Sequence, residues 1–203
     1  MKEIHLLDSD HVEWHTFMRA PGAPSPEEIE LCRNGSLRKV DYYQSKYSSL
    51  REGIHAHAVR VESPSTFREF LSAHPIDWAF VSIDQQTDRD SPRQDVVYSA
   101  LSETAIPFID SGVSITLEGR TVRGAVTTSS YAAGSNEWKN AIPNAKVEGN
   151  APGYRNVQLP EVNAVAASLA VMEWRRRTRQ YASASSPLLH KFRLETPRIL
   201  IPR

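Results

Sequence analysis

Apolar positions along this chain fall in short clusters whose spacing alternates between two and three to four residues. Ile4, Leu6 and Leu7 form a brief apolar run that ends on Asp8, Ser9 and Asp10, which predicts a strand with an acidic tip. Residues 9–38 read as a long loop holding one short helix, capped by Ser25, opened by Pro26 and ended at Asn34-Gly35. Within 37–53, Val40, Tyr43, Tyr47 and Leu50 recur at helical spacing and Gly53 supplies a C-terminal stop. "IHAHAVRV" (54–61) then alternates as a strand.

The same succession continues downstream. Residues 63–74 predict a helix with Phe67, Phe70 and Leu71 on one face, and 77–84 a nearly continuous apolar strand that again ends in an acid, Asp84. Residues 91–104 read as a helix and 106–110 as a short strand. Strand and helix in alternation predict a parallel sheet with helices on both faces. Beyond Gly112 the pattern changes to an antiparallel hairpin over 113–128, turning at Glu118-Gly119. Residues 129–156 read as a loop with a short helix around Trp138. A long helix follows over 159–181, with Val162, Val165, Ala166, Leu169 and Met172 on its apolar face. Arginines crowd its C-terminal end, where cations complement the helix dipole. "KFRLE" and "RILIP" supply one last short strand. No repeat or linker interrupts the chain, so the expected architecture is a single α/β domain over 1–203. It is a Rossmann-like, mostly parallel sheet with an antiparallel hairpin extension.

Charge and cysteine content narrow the function classes. Lys plus Arg equals Asp plus Glu at 24 each, so no net field recruits nucleic acid or an anionic membrane. No apolar run approaches the roughly 20 residues that span a bilayer, and Glu3, His5 and Asp8 interrupt any signal-peptide core. The single cysteine, Cys32, excludes an internal disulfide and a multi-cysteine zinc site. A cytoplasmic protein is expected.

The acid-tipped strands carry the sharpest chemistry. In open parallel sheets, ligands bind beyond the carboxyl ends of strands, so Asp8, Asp10 and Asp84 should share one edge. Carboxylates there hold ribose hydroxyls or a magnesium ion escorting phosphates, although aspartate also simply caps strand ends. No glycine-rich phosphate-loop motif occurs anywhere in the sequence. Counting back from Asp8 to where one belongs runs past residue 1, so the sheet is expected to be incomplete at its N-terminus. His55 and His57 fall on one strand face, as a structural pair or, if carboxylates converge, as metal ligands. His11 and His15 flank Glu13 at a spacing that matches no zinc motif. Cys32 has no histidine in its neighbourhood of sequence, which argues against a reactive thiol.

Taken in order, these pieces resemble the ThiF/MoeB/HesA family of adenylyltransferases related to ubiquitin-activating enzymes. "LLDSDHVEWHTFMR" is similar to the family's Asp-x-Asp strand end followed at fixed spacing by arginine, which places Asp8 and Arg19. The family more often reads Asn-Leu-x-Arg-Gln there, against Thr16-Phe17-Met18-Arg19-Ala20 here. "RAPGAPSPEE" and "KVDYYQSKYSSLREGI" resemble a bacterial branch associated with ubiquitin-like operons, with Lys39 as the helix-opening lysine. "DWAFVSID" resembles the strand that ends in the family's acid, Asp84, followed here by Gln85. "IPFIDSGVSI" and "YRNVQLPEVNAVAASLAVMEWRR" resemble the later strand and closing helix.

The resemblance covers residues 3–182 and implies activation of the C-terminal carboxylate of a ubiquitin-like or sulfur-carrier protein with ATP and Mg2+. Asp8 and Asp10 would serve the ribose, Arg19 and Lys39 the phosphates, and Asp84 the magnesium. It also implies a homo- or heterodimer, with no nucleic acid or membrane partner. Paired Cys-x-x-Cys motifs are missing, so the family's zinc is not expected, and no cysteine stands in 120–150 for a thioester. The glycine-rich loop would come from outside this chain. A catalytically inactive assembly partner in a ubiquitin-activating-like heterodimer is the alternative, and a generic nucleotide-binding module a third.

Overall fold

The computed structural model describes residues 2–61, 63–83, 93–141, 159–182, 189–196 and 199–200. The chain forms two compact units, Met1–Arg60 and Val61–Arg203.

The first unit contains β1 (Ile4–Leu7), α1 (Trp14–Arg19), α2 (Pro26–Arg33), α3 (Lys39–Ser48) and β2 (Ile54–His57). β1 and β2 pair in parallel, Ile4 opposite Ile54 and Leu7 opposite His57, and α3 packs on both strands. This is the predicted strand–helix–strand unit. Gly53 is the residue that lets the chain enter β2. Its φ is +75°, and a Cβ there would sit 2.6 Å from the Lys2 carbonyl oxygen. The core joins Val12, Leu37 and Tyr42, with Phe17, Cys32 and Tyr43 packed around them.

α2 forms where its cap predicted it. Ser25 Oγ accepts from the Glu28 amide while Glu28 Oε2 accepts from the Ser25 amide, a reciprocal capping box. α1 is a second helix in what reads as loop. It is six residues long, and Thr16, its buried residue, closes the first turn by accepting from the Glu13 amide. α3 is rotated relative to the expected face. Val40 and Tyr42 are buried, whereas Tyr47 and Leu50 are 39% and 79% exposed. Gln44, in the middle of the helix, donates its Nε2 to the Ile54 carbonyl at 2.7 Å and ties α3 to the start of β2.

The second unit contains α4 (Pro64–Ala73), β3 (Ala79–Val81), α5 (Arg93–Glu103), β4 (Phe108–Glu118), β5 (Thr121–Tyr131), α6 (Trp138–Ala141), α7 (Pro160–Arg177), β6 (Leu189–Arg193) and β7 (Ile199–Leu200). Its sheet runs β3-β4-β5-β6-β7, parallel between β3 and β4 and antiparallel thereafter. The expected short strand and the first arm of the hairpin are one 11-residue strand, β4. Gly112 passes through it without a positive φ and with nothing crowding its Cα. The terminal segment contributes two strands rather than one.

One core cluster stacks Tyr98 on Phe108 at 4.9 Å and Phe108 on Tyr131 at 4.7 Å, with Trp138 edge-on to Tyr98. A second joins Val126 to Val162, Ala166 and Leu169 of α7. The buried face of α7 continues through Ala170 and Glu173, whereas Met172, expected on it, is 36% exposed. Parallel pairing in both units and the antiparallel extension make this a mixed α/β, Rossmann-like fold.

Candidate functional site

β1 ends at Leu7, and the Asp8 amide extends its ladder by donating to the His57 carbonyl at 3.3 Å. The chain then turns. Asp8 Oδ1 accepts from the Asp10 amide at 2.8 Å, the side-chain-to-backbone bond that aspartate uses to mimic a turn. From there the backbone zips antiparallel against the segment before α3. Val12 donates to the Leu37 carbonyl at 2.7 Å, His11 bridges Arg38, and the Lys39 amide donates to the Asp10 carbonyl at 3.0 Å.

That zipper sets the first residue of α3 beside the acidic strand end. Lys39 Nζ donates to Asp10 Oδ2 at 2.8 Å and stands 3.7 Å from Asp8 Oδ2. The Lys39 side chain is 21% exposed, against 39% for Asp8 and 65% for Asp10. The cation is sheltered and the carboxylates are open to a ligand. An ammonium has three donors, so two acidic neighbours leave a further direction for an anion.

Arg19 closes the last turn of α1 and is half-buried. Its link to the acids runs through Tyr43, one helical turn beyond Lys39. Burial pushes the Tyr43 hydroxyl above its ordinary value, Tyr42 and the Asp8 charge push it the same way, and Arg19 opposes them. Tyr43 therefore lies within the fields of both Asp8 and Arg19. In the sequence Tyr43 reads only as a packing position of the helix, and its spacing of four from Lys39 is the one signal that links the two. The structure thus brings Asp8, Asp10 and Lys39 into contact, with Arg19 and Tyr43 at their border. Asp84 lies outside the described residues.

The donor set fits a nucleotide. Carboxylates accept from a ribose diol, and a lysine ammonium is a compact charge for phosphate. Oxygen ligands of this kind also suit Mg2+.

Other candidates resolve differently. Cys32 Sγ donates to the Val12 carbonyl at 3.3 Å, a packing role. His15 Nδ1 pairs with Glu13 Oε2 at 3.2 Å. His5, His55 and His57 converge in the first unit. The arginines ending α7 do more than face the helix dipole. Arg177 Nε donates to Glu173 Oε1 at 2.9 Å and Arg176 Nη1 to Glu173 Oε2 at 3.3 Å. Glu173 is fully buried, and also meets Ser130 Oγ at 2.9 Å and His190 Nε2 at 3.2 Å. No sequence signal marked this glutamate, because a helical Glu beside arginines reads as solvated.

No family model matches the chain, and no curated protein matches it either. Among solved structures it is similar to E. coli MccB, determined with ATP, at 17% sequence identity and a TM-score of 0.60. The match covers 98% of this chain and 55% of that one, so this chain spans about half of the MccB chain. At that identity the likeness is one of fold.

Proposed function

We propose that this chain is part of an ATP-dependent adenylyltransferase of the ThiF/MoeB/HesA kind, acting on the C-terminal carboxylate of a ubiquitin-like or sulfur-carrier protein. The observation that carries this reading is the contact of Lys39 with Asp8 and Asp10 at the carboxyl end of β1. Two supports stand beside it: the fold shared with a protein solved with ATP and the ordered motif resemblance.

In this reading Asp8, with Asp10, accepts the ribose hydroxyls, and Lys39 turns from the acids toward the phosphates as they arrive. Arg19 adds positive charge at the same edge. The substrate carboxylate oxygen bonds to the α-phosphorus as the bond to the pyrophosphate oxygen breaks. Positioned cations stabilise the charge that develops on the transferring phosphorus. Asp84 is the proposed magnesium ligand; the ion would neutralise the leaving pyrophosphate. No glycine-rich motif occurs in the 203 residues, so the phosphate cradle is supplied from outside them, in a homo- or heterodimeric, cytoplasmic assembly.

Binding separates the two ends of the nucleotide. Loss of one charged hydrogen bond costs about 1.5–3 kcal/mol, roughly 10- to 100-fold in affinity. Asp8→Ala should weaken adenosine and ATP alike by that factor in calorimetric titration of the full chain. Lys39→Ala should weaken ATP and leave adenosine unchanged. In the complemented assembly, ATP–pyrophosphate exchange should vanish with Asp84→Ala. Normal exchange with both Asp84→Ala and Lys39→Ala defeats the proposal.

The engagement of Lys39 by both acids favours one second reading, a catalytically inactive assembly partner whose cation is spent on structure. Such a chain would hold a second protein tightly and support no exchange under any condition.

A further inference from the structure

His5, His55, His57 and Glu3 form a polar cluster in the first unit that the nucleotide reading leaves without a task. His5 and His55 are partners in the parallel ladder of β1 and β2, and His57 follows two residues along. All three side chains therefore leave the same face of the strand pair. The His5 ring stacks on His55 at 4.9 Å and on His57 at 5.2 Å between centroids. Glu3 Oε2 lies 3.7 Å from His5 Nε2. One ligand atom each from Glu3, His5 and His55 falls within 4.8 Å of the others.

We propose that Glu3, His5 and His55 form a site for one divalent transition-metal ion of the Zn2+ class, with His57 as the positioning residue that orients His5. Two imidazoles and a carboxylate are the donor set of a borderline cation, not of Mg2+ or Ca2+. Donors around tetrahedral Zn2+ stand roughly 3.3–3.5 Å apart, given bonds of about 2.0–2.2 Å. The cluster therefore needs a closure of at most about 1.5 Å. Glu3 can make it, because its side chain is 66% exposed while that of His5 is 10% exposed.

His57 backs the His5 ring on the side away from Glu3 Oε2's partner nitrogen. His5 Nδ1 and His57 Nε2 are 3.0 Å apart, a hydrogen bond between two imidazoles. With the proton on His5 Nδ1, the lone pair is on Nε2, the nitrogen nearest Glu3. Ligating histidines are held this way by an acceptor on the other ring nitrogen. Three protein ligands leave one position of a tetrahedron to solvent. This cluster is separate from the magnesium role proposed for Asp84 and does not depend on the adenylation reading.

The test is Zn2+ titration of the full chain, purified without a histidine tag and stripped of metal, against a chromophoric chelator. One equivalent should bind with a dissociation constant of about 10 μM or tighter. Binding should weaken at least 100-fold in His5→Ala and His55→Ala, and 10- to 100-fold in His57→Ala. A readout on the unaltered chain covers variants that fail to fold. Zn2+ should protect His5 and His55 from carbethoxylation, mapped by mass spectrometry, and leave His11 reactive. Absence of stoichiometric uptake, unchanged affinity in a folded His55→Ala chain, or protection confined to His11 and His15 would overturn the assignment.

Discussion

Glu173→Ala tests the polar clamp that ties α7 to β5 and β6. The Glu173 side chain is 1% exposed, and its two oxygens meet Ser130, Arg177, Arg176 and His190 at 2.9, 2.9, 3.3 and 3.2 Å. Removing one partner of a buried ion pair costs about 3–5 kcal/mol, because the remaining charge stays desolvated. Arg176 and Arg177 are 23% and 24% exposed and regain some hydration. Ser130 keeps its bond from Arg177 Nη2 at 2.6 Å. The low end, about 3 kcal/mol, is therefore expected.

Urea unfolding followed by tryptophan fluorescence reads this directly, since Trp78, Trp138 and Trp174 of the four tryptophans lie in the second unit. With a slope of about 2 kcal/mol per molar, the midpoint should fall by roughly 1.5 M. The pH dependence gives a second check. Burial alone would raise the Glu173 pKa and is the largest single influence. The bonds from Arg177 and Ser130 and the charges of Arg177 and His190 together outweigh it, and the net shift is downward. A carboxyl depressed in the folded state contributes stability above its unfolded pKa and loses it as pH falls through the folded value. The gap between the native chain and Glu173→Gln should accordingly be widest at neutral pH and close under acid conditions. A cost below about 1 kcal/mol, or a gap that does not change with pH, would refute the clamp.

Three further substitutions probe the scaffolds, two in the second unit and one in the first. A Cβ at Gly124 would stand 2.4 Å from the Ser114 carbonyl oxygen on the neighbouring strand, so Gly124→Ala should cost about 1–3 kcal/mol. Gly112→Ala, with nothing within 4 Å, should stay within about 0.5 kcal/mol; equal effects in urea unfolding would refute the contact argument. In the first unit, Glu28 Oε2 accepts from the Ser25 amide and from Lys46 Nζ, each at 2.7 Å. Burial opposes its ionisation as the largest influence, yet Lys46 and Ser25 together hold the Glu28 pKa down. Glu28→Gln should cost about 1 kcal/mol at neutral pH. That loss should disappear below the usual carboxylate range, and a penalty persisting in acid would rule out the charge.

The division between what local pattern and what assembly decides is visible residue by residue. Ser25, Pro26 and Glu28 specify α2 among themselves, because a capping box satisfies orphan amides within four residues of chain. Gly119, at φ +62°, likewise marks the hairpin turn from its own conformational freedom. The alternation of apolar runs announces α/β class because strand and helix periods differ. α1 carries no such signal, because six residues with one buried threonine leave no periodic stripe.

The candidate site divides the same way. The acidic tip at Asp8 and Asp10 is legible in the stretch Ile4–Asp10 alone. The cation facing it is 29 residues from Asp10, and only the zipper of 10–12 against 37–39 sets Lys39 there. Tyr43 borders the site because it stands one helical turn beyond Lys39 on α3, within reach of the charges of Asp8 and Arg19. Glu173 is the limiting case. Its burial depends on Ser130, 43 residues before it, and His190, 17 after it. Sequence alone determined where the chain can be helix, strand and turn, because those preferences close over a few residues. Tertiary structure alone decided which charges meet, because a buried ion pair is stabilised by partners that only folding brings within 3 Å.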